Sequence, residues 1–230
     1  MNATQNRLIA LLPRKDRLHF IASCVPVQLL LGQVLCEPGN ATRFAYFPVD
    51  SFISLLTQID GKPALEVGMV GREGMLGAEL GLGVATTPLH AVVQGEGSAW
   101  RINRVAFRRE LAGSAALQQS MHRYLYVLMS QLTSSAACLR FHLIGPRLAR
   151  WLLMSQDRAH CDRFRATHEF LAYMLGVRRV GINAAAGQLQ RSGLIEYRRG
   201  NLTVLNRNGL EAAACSCFAT DKKSYQHFLG

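Results

Sequence analysis

From about Val25 to Ile102 the chain alternates short apolar runs with turn signals. The runs are Phe44-Ala45-Tyr46-Phe47, Phe52-Ile53-Ser54-Leu55-Leu56, Leu65-Glu66-Val67-Gly68-Met69-Val70 and His90-Ala91-Val92-Val93. Between and around them lie Glu37-Pro38-Gly39-Asn40, Asp60-Gly61-Lys62-Pro63, Gly71-Arg72-Glu73-Gly74 and Gly95-Glu96-Gly97. Several short strands at this spacing predict a small β-barrel or jelly roll. After Val105 the period changes. Leu117, Met121, Leu125, Leu128, Leu132, Ala136 and Leu139 recur every three or four positions, which predicts one long helix over about residues 115–140. No charge lies between Arg123 and Arg140. The stripe through Met121, Leu125, Leu128 and Leu132 therefore faces either the chain's own core or a second copy of the chain, and the uncharged flanks favour the second copy. Phe141 to Pro146, with Gly145-Pro146, breaks the helix and predicts a domain boundary, giving expected domains 1–142 and 143–230. A further helix is expected from Arg147 to Arg158.

Downstream the pattern turns into two short helices and a hairpin. Thr167 is a suitable N-cap, with Glu169 at the positive end of the helix dipole. Phe170, Leu171, Met174 and Leu175 form one apolar face, and Gly176 ends the helix. A second helix follows from Arg178 to Arg191, with Ile182, Ala185, Ala186 and Leu189 as its buried positions and Gly193 closing it. Leu194 to Arg198 and Leu202 to Leu205 read as strands joined across Arg199-Gly200-Asn201. Helix, glycine turn, helix and basic hairpin predict a winged helix-turn-helix. The fold class is thus α+β: an N-terminal β-barrel or jelly-roll domain, a long dimerisation helix and a C-terminal winged helix-turn-helix.

Composition sharpens this picture. The 230 residues suffice for one large or two small domains, and 49% hydrophobic with 18% charged residues excludes a disordered chain. Lys and Arg number 26 against 15 Asp and Glu, a formal charge of +11. Residues 141–230 hold 13 basic and 6 acidic side chains, residues 1–140 hold 13 and 9, so the excess is concentrated after the long helix. A polyanionic partner follows, with double-stranded DNA the one the helices suit. Arg178 and Arg179 stand at the N-terminal end of the recognition helix, where an arginine can give a bidentate pair to guanine. Asn183, one turn on, can reach adenine or a phosphate; Arg198 and Arg199 at the wing, and Thr167 at a helix N-terminus, suit backbone phosphates.

Other classes are disfavoured. Leu8 to Leu12 is too short for a signal-peptide core, and polar residues interrupt the uncharged stretches His19 to Cys36 and Tyr124 to Leu139, so a cytoplasmic protein without a membrane span is expected. Six scattered cysteines in such a chain predict no structural disulfide. Cys215-Ser216-Cys217, with His160 and Cys161, offers metal-ligand chemistry, but no C-x-x-C or H-x-x-x-H accompanies it and no bound metal is expected. No cluster of histidines and carboxylates with ligand spacing lies in residues 20–102, so the chain does not read as an enzyme.

The stretch Thr167 to Leu205, preceded by Arg147-Leu148-Ala149-Arg150-Trp151, resembles the DNA-binding domain of the Crp/Fnr superfamily of bacterial transcription regulators. The barrel and long helix before it are similar to that family's sensor domain and dimerisation helix. The resemblance implies a homodimer on a palindromic operator, with RNA polymerase as a further partner. Arg179 falls where the family places its guanine-reading arginine; the glutamate usual just after it is Val180 here, and a later basic residue is Ala184. In the sensor half, Glu79 occupies the acidic position of the cyclic-nucleotide motif, while Leu89 replaces the phosphate-binding arginine and His90 the following hydroxyl. A charge-assisted phosphate contact contributes roughly 1.5–3 kcal/mol, which Leu89 cannot supply. Cyclic AMP is therefore not expected as effector, and no cofactor is expected; His90 is either a contact to a different anion or a satisfied core residue. Cys24 and Cys36 alone fall short of iron–sulfur ligation. Control by an effector at the barrel and constitutive competence both remain open. A rival reading is a ligand-binding signalling module that acts through protein contacts, with the basic domain as docking surface.

Overall fold

The alternating apolar runs fold into two antiparallel sheets. The structure, a computed structural model, describes residues 6–61, 64–159 and 161–229. One sheet runs in the order β1 (Val25–Leu29), β7 (Gly97–Asn103), β3 (Phe44–Pro48), with Val27 opposite Ala99 and Phe47 opposite Trp100. The other runs β2 (Val34–Cys36), β6 (His90–Gly95), β4 (Phe52–Thr57), β5 (Leu65–Val70). Among the described strands no ladder joins the two sheets, so the expected barrel or jelly roll takes the form of an open pair of sheets. β1 and β2 escape a reading of apolar runs because their positions are mostly exposed or half-buried. Their pairing partners β7 and β6 hold them in place, and Pro26 is tolerated because β1 is an edge strand.

Contacts divide the chain into two units. The first comprises Met1–Leu55, Met69–Ser130 and Ser224–Gly230; the second comprises Leu56–Gly68 and Gln131–Lys223. In the first, Phe20 from α2 (Arg14–Ala22), Phe47 from β3 and Phe107 from α3 (Arg104–Gly113) meet at ring angles of 53–78°. Asn6 caps α1 (Arg7–Ala10), and its amide donates to the carbonyls of Pro48 and Gly74, each at 2.9 Å.

The long helix α4 (Ala115–Phe141) sends two different faces to two different tasks. Leu117, Met121, Tyr124 and Val127 enter the core of the first unit, where the Tyr124 hydroxyl donates to the Met75 carbonyl at 2.9 Å. Gly74 is required here, because a Cβ on it would lie 2.4 Å from the Tyr124 oxygen. Met121, expected on a seam with a second copy, is instead 2% exposed inside its own chain. Leu125 and Leu128 are half-buried beside that core, whereas Leu132 is 39% and Met129 66% exposed. The recurrence of every three or four residues locates the helix but does not separate these faces.

The second unit is built on α5 (Ile144–Ala159), followed by β8 (Arg163–Arg165), α6 (His168–Leu175), α7 (Arg179–Arg191), β9 (Ile195–Arg198), β10 (Asn201–Val204), α8 (Arg207–Ala213) and most of α9 (Ser216–Leu229). α5 starts three residues earlier than the sequence suggested. Gly145-Pro146 lies in its first turn, where a missing backbone N–H removes no intrahelical bond. Arg150 donates to the Asp221 carboxylate at 2.6 Å, with both side chains more than nine-tenths buried. Removing one partner of such a pair strands the other charge. Asp221→Ala is expected to lower the free energy of unfolding by about 3–5 kcal/mol, whereas the exposed Lys223→Ala changes it by less than about 0.5 kcal/mol; urea denaturation of both variants checks this.

Candidate nucleic-acid interface

Local chemistry sets the two helices of the second unit. The Thr167 hydroxyl accepts from the Phe170 N–H at 3.1 Å and caps α6. Gly176 ends it at φ 61°, a left-handed conformation that returns its N–H to the Tyr173 carbonyl. Arg147 from α5 donates to the last carbonyl of α6, at Leu175, so the helix end is satisfied from inside the domain. Burial pulls the Arg147 guanidinium below its usual pKa. Trp151, also on α5, packs edge-on against Phe164 and Phe170 and donates to Glu66 at 2.8 Å. The face of α7 that packs inward is the expected one: Ile182, Ala185, Ala186 and Leu189. Gly181 allows α7 to approach α5, since a Cβ there would lie 2.6 Å from the end of Ile144.

The opposite face of α7 is open. Arg179 is its first helical residue, and Arg178, expected inside the helix, is the extended N-cap with φ −72° and ψ 143°. Arg179, Val180, Asn183 and Ala184 are exposed together on this face, and Arg178 is exposed beside them. Asn183 is less free than its position suggests. Its side-chain oxygen lies 2.5 Å from His168 Nδ1, and the His168 ring stacks on Tyr197 at 4.1 Å. This bridge from α6 to α7 and the wing was not foreseen, because His168 carries no spacing signal relative to either partner.

The wing also differs in register. Its turn is the pair Arg199-Gly200, at φ 50° and 79°, and Asn201 already belongs to β10 opposite Arg198. Two positive φ values give the tight hairpin whose twist matches the strands. A third strand, β8, pairs with β10 and places Arg165 opposite Asn201 and Arg163 opposite Thr203. Arg163, Arg165 and Arg198 therefore share the exposed face of a three-stranded sheet, while Phe164, Tyr197 and Leu202 share the other. The alternation Arg163-Phe164-Arg165 is the signal that could have revealed β8, but three residues are too few to stand out.

The other candidate residues fall elsewhere. Glu79 lies in a 3₁₀ turn, Ala78–Leu82, and its carboxylate accepts from the Thr42 hydroxyl at 2.7 Å. The Leu89 N–H donates to the Thr87 hydroxyl at 3.2 Å, and half-buried His90 opens β6. Cys161 is exposed and bonds locally to Arg163; His160 lies outside the described residues.

Comparison with known proteins agrees with this geometry. Residues 146–213 match the model of the Crp-like helix-turn-helix domain. No curated protein matches the sequence. Among solved structures the fold is similar to FixK2 from Bradyrhizobium japonicum, with a TM-score of 0.68 at 12% identity, covering 84% of this chain and 98% of that one. A CRP-family transcriptional regulator from Thermus thermophilus gives 0.68 at 18% identity, covering 82% and 96%. The c-di-GMP-responsive global regulator CLP of Xanthomonas campestris gives 0.67 at 17%, covering 84% and 99%. Residues 146–213 thus match the Crp-like helix-turn-helix domain, and the chain has the fold of the Crp/Fnr regulators.

Proposed function

We propose that the protein is a sequence-reading transcription regulator that binds double-stranded DNA as a homodimer. The observation that carries this is the exposed Arg179 in the first turn of α7, flanked by Arg178 and by the arginine face of the wing. In the major groove, Arg179 would give two parallel hydrogen bonds to guanine. Val180, 70% exposed and apolar, suits a thymine methyl, so the bases read need not be those read by relatives with a glutamate there. Arg163, Arg165, Arg198 and Arg199 supply sequence-independent phosphate contacts. The Thr167 oxygen accepts within its own helix cap, which leaves the hydroxyl proton available to a phosphate.

The exposed stripe of α4 supports the dimer. Leu125, Met129, Leu132, Ala136 and Leu139 step by four and three, the spacing of a helix-pair seam; Leu125 is half-buried and the other four are exposed. Two copies joined there would present recognition helices to half-sites about one helical turn, roughly 34–36 Å, apart. Glu79 already has a partner in Thr42 and Leu89 offers no cation, so the reading favours a protein competent without cyclic AMP. RNA polymerase is the further partner the family resemblance supplies, and a cytoplasmic location goes with both.

Selection of bound sequences from a random duplex pool, without added ligand, tests this reading. A palindrome should be enriched, and Arg179→Ala should weaken binding to it by about 1–3 kcal/mol, roughly 5- to 150-fold. Arg165→Ala should weaken all sequences alike and reduce the slope of log affinity against log salt by about one. If Arg179→Ala leaves binding intact and salt has little effect, the basic domain docks on protein instead. Met129→Glu should turn a dimer into a monomer in sedimentation equilibrium; a dimer that survives it places the seam elsewhere.

A further inference from the structure

Four side chains outside the DNA-binding face converge inside the second unit. Cys138 and His142 lie four residues apart on one face at the end of α4, the second just past its last residue. Cys215 precedes α9 and Cys217 sits in its first turn. Cys138 Sγ is 3.5 Å from Cys215 Sγ, Cys217 Sγ is 3.6 Å from His142 Nδ1, and all four ligand atoms lie within 4.8 Å of one another. The three cysteines are buried and His142 is half-buried.

We propose that Cys138, His142, Cys215 and Cys217 form a binding site for one zinc ion that fastens the end of α4 to the junction of α8 and α9. A tetrahedral ion with Zn–S near 2.3 Å places sulfurs about 3.8 Å apart, close to the spacing already present. Three sulfurs and one imidazole are soft and borderline ligands, which select zinc over magnesium or calcium. The ligand atoms are too close together to surround the several irons of an iron–sulfur cluster, whereas a single ion fits between them. A disulfide is a poorer reading: it requires the sulfurs at about 2.0 Å and leaves Cys217 and His142 without a task.

Charge around the site is suitable. Three thiolates and Zn²⁺ sum to one negative charge, and the buried guanidiniums of Arg147 and Arg150 both lie near enough to feel the sulfurs of Cys138 and Cys215. Metal binding displaces the thiol protons to solvent. The sequence spacing hid the site because its two halves, C-x-x-x-H and C-x-C, are 77 residues apart from Cys138 to Cys215 and neither is a familiar metal motif alone.

The test is metal stoichiometry of the full chain, independent of DNA binding. Reduced protein stripped with chelator is titrated with Co²⁺ and then Zn²⁺. One Co²⁺ per chain with the absorption of a tetrahedral thiolate complex, displaced by one Zn²⁺, is expected. Cys215→Ser with Cys217→Ser should abolish it, while Cys24→Ser, Cys36→Ser and Cys161→Ser should retain it. His142→Ala, at a half-buried position that should leave the fold intact, should weaken zinc binding by at least about tenfold, the smallest loss expected even from an outer partner. This variant decides the matter if the double variant does not fold. Failure of the reduced wild-type chain to bind Co²⁺, with or without a Cys138–Cys215 disulfide in the protein as purified, overturns the proposal. So does undiminished binding in the folded double variant or in His142→Ala.

Discussion

Three arginines inside the second unit must be satisfied where water cannot reach, and much of that unit is arranged around them. Arg147, Arg150 and Arg158 all lie on α5 and all are more than nine-tenths buried. A buried guanidinium without partners is costly by several kcal/mol, so the positions of its acceptors are strongly fixed. Arg147 takes the terminal carbonyl of α6. Arg150 takes Asp221 on α9 and Ser135 on α4. Arg158 takes the Met154 carbonyl and adds positive charge beside Asp221. The end of α6 is where the chain turns towards α7, so the segment that leads into Arg179 is anchored by a buried side chain of α5.

How far the sequence revealed this depends on the range of the signals. The pair α6 and α7 is legible because its determinants are local: Thr167 caps, Gly176 turns, and Ile182, Ala185, Ala186 and Leu189 repeat at helical spacing. The wing turn is displaced by one residue because Arg199 occupies a left-handed conformation that arginine seldom adopts, whereas a Gly-Asn turn is the commoner expectation. β8 is held by pairing with β10, and nothing in three residues announces that pairing. The division of the α4 stripe is likewise tertiary. Met121 and Leu132 are both apolar, yet only Met121 falls in the buried core cluster of the first unit.

The cysteines separate by environment in the same way. Burial, then the nearby Glu110 carboxylate, pushes the Cys24 thiol up to about 12. Burial and Glu79 push Cys36 up to about 11. Both remain protonated and poor nucleophiles at neutral pH. In the second unit the neighbours of Cys138 are other sulfurs, a histidine and arginines, and its thiol moves in the opposite direction. Equal residue types, counted from the sequence as six scattered thiols, thus fall into chemically distinct groups once the chain folds.

The left-handed Arg199 at the wing tip sets two demands on one position against each other. A non-glycine residue there carries a backbone cost of about 1–2 kcal/mol, and glycine or asparagine would relieve it. Either replacement would also remove an exposed cation from the turn of the wing. At this turn the sequence of lowest backbone strain and the sequence of highest positive charge are different sequences, and the chain carries the second.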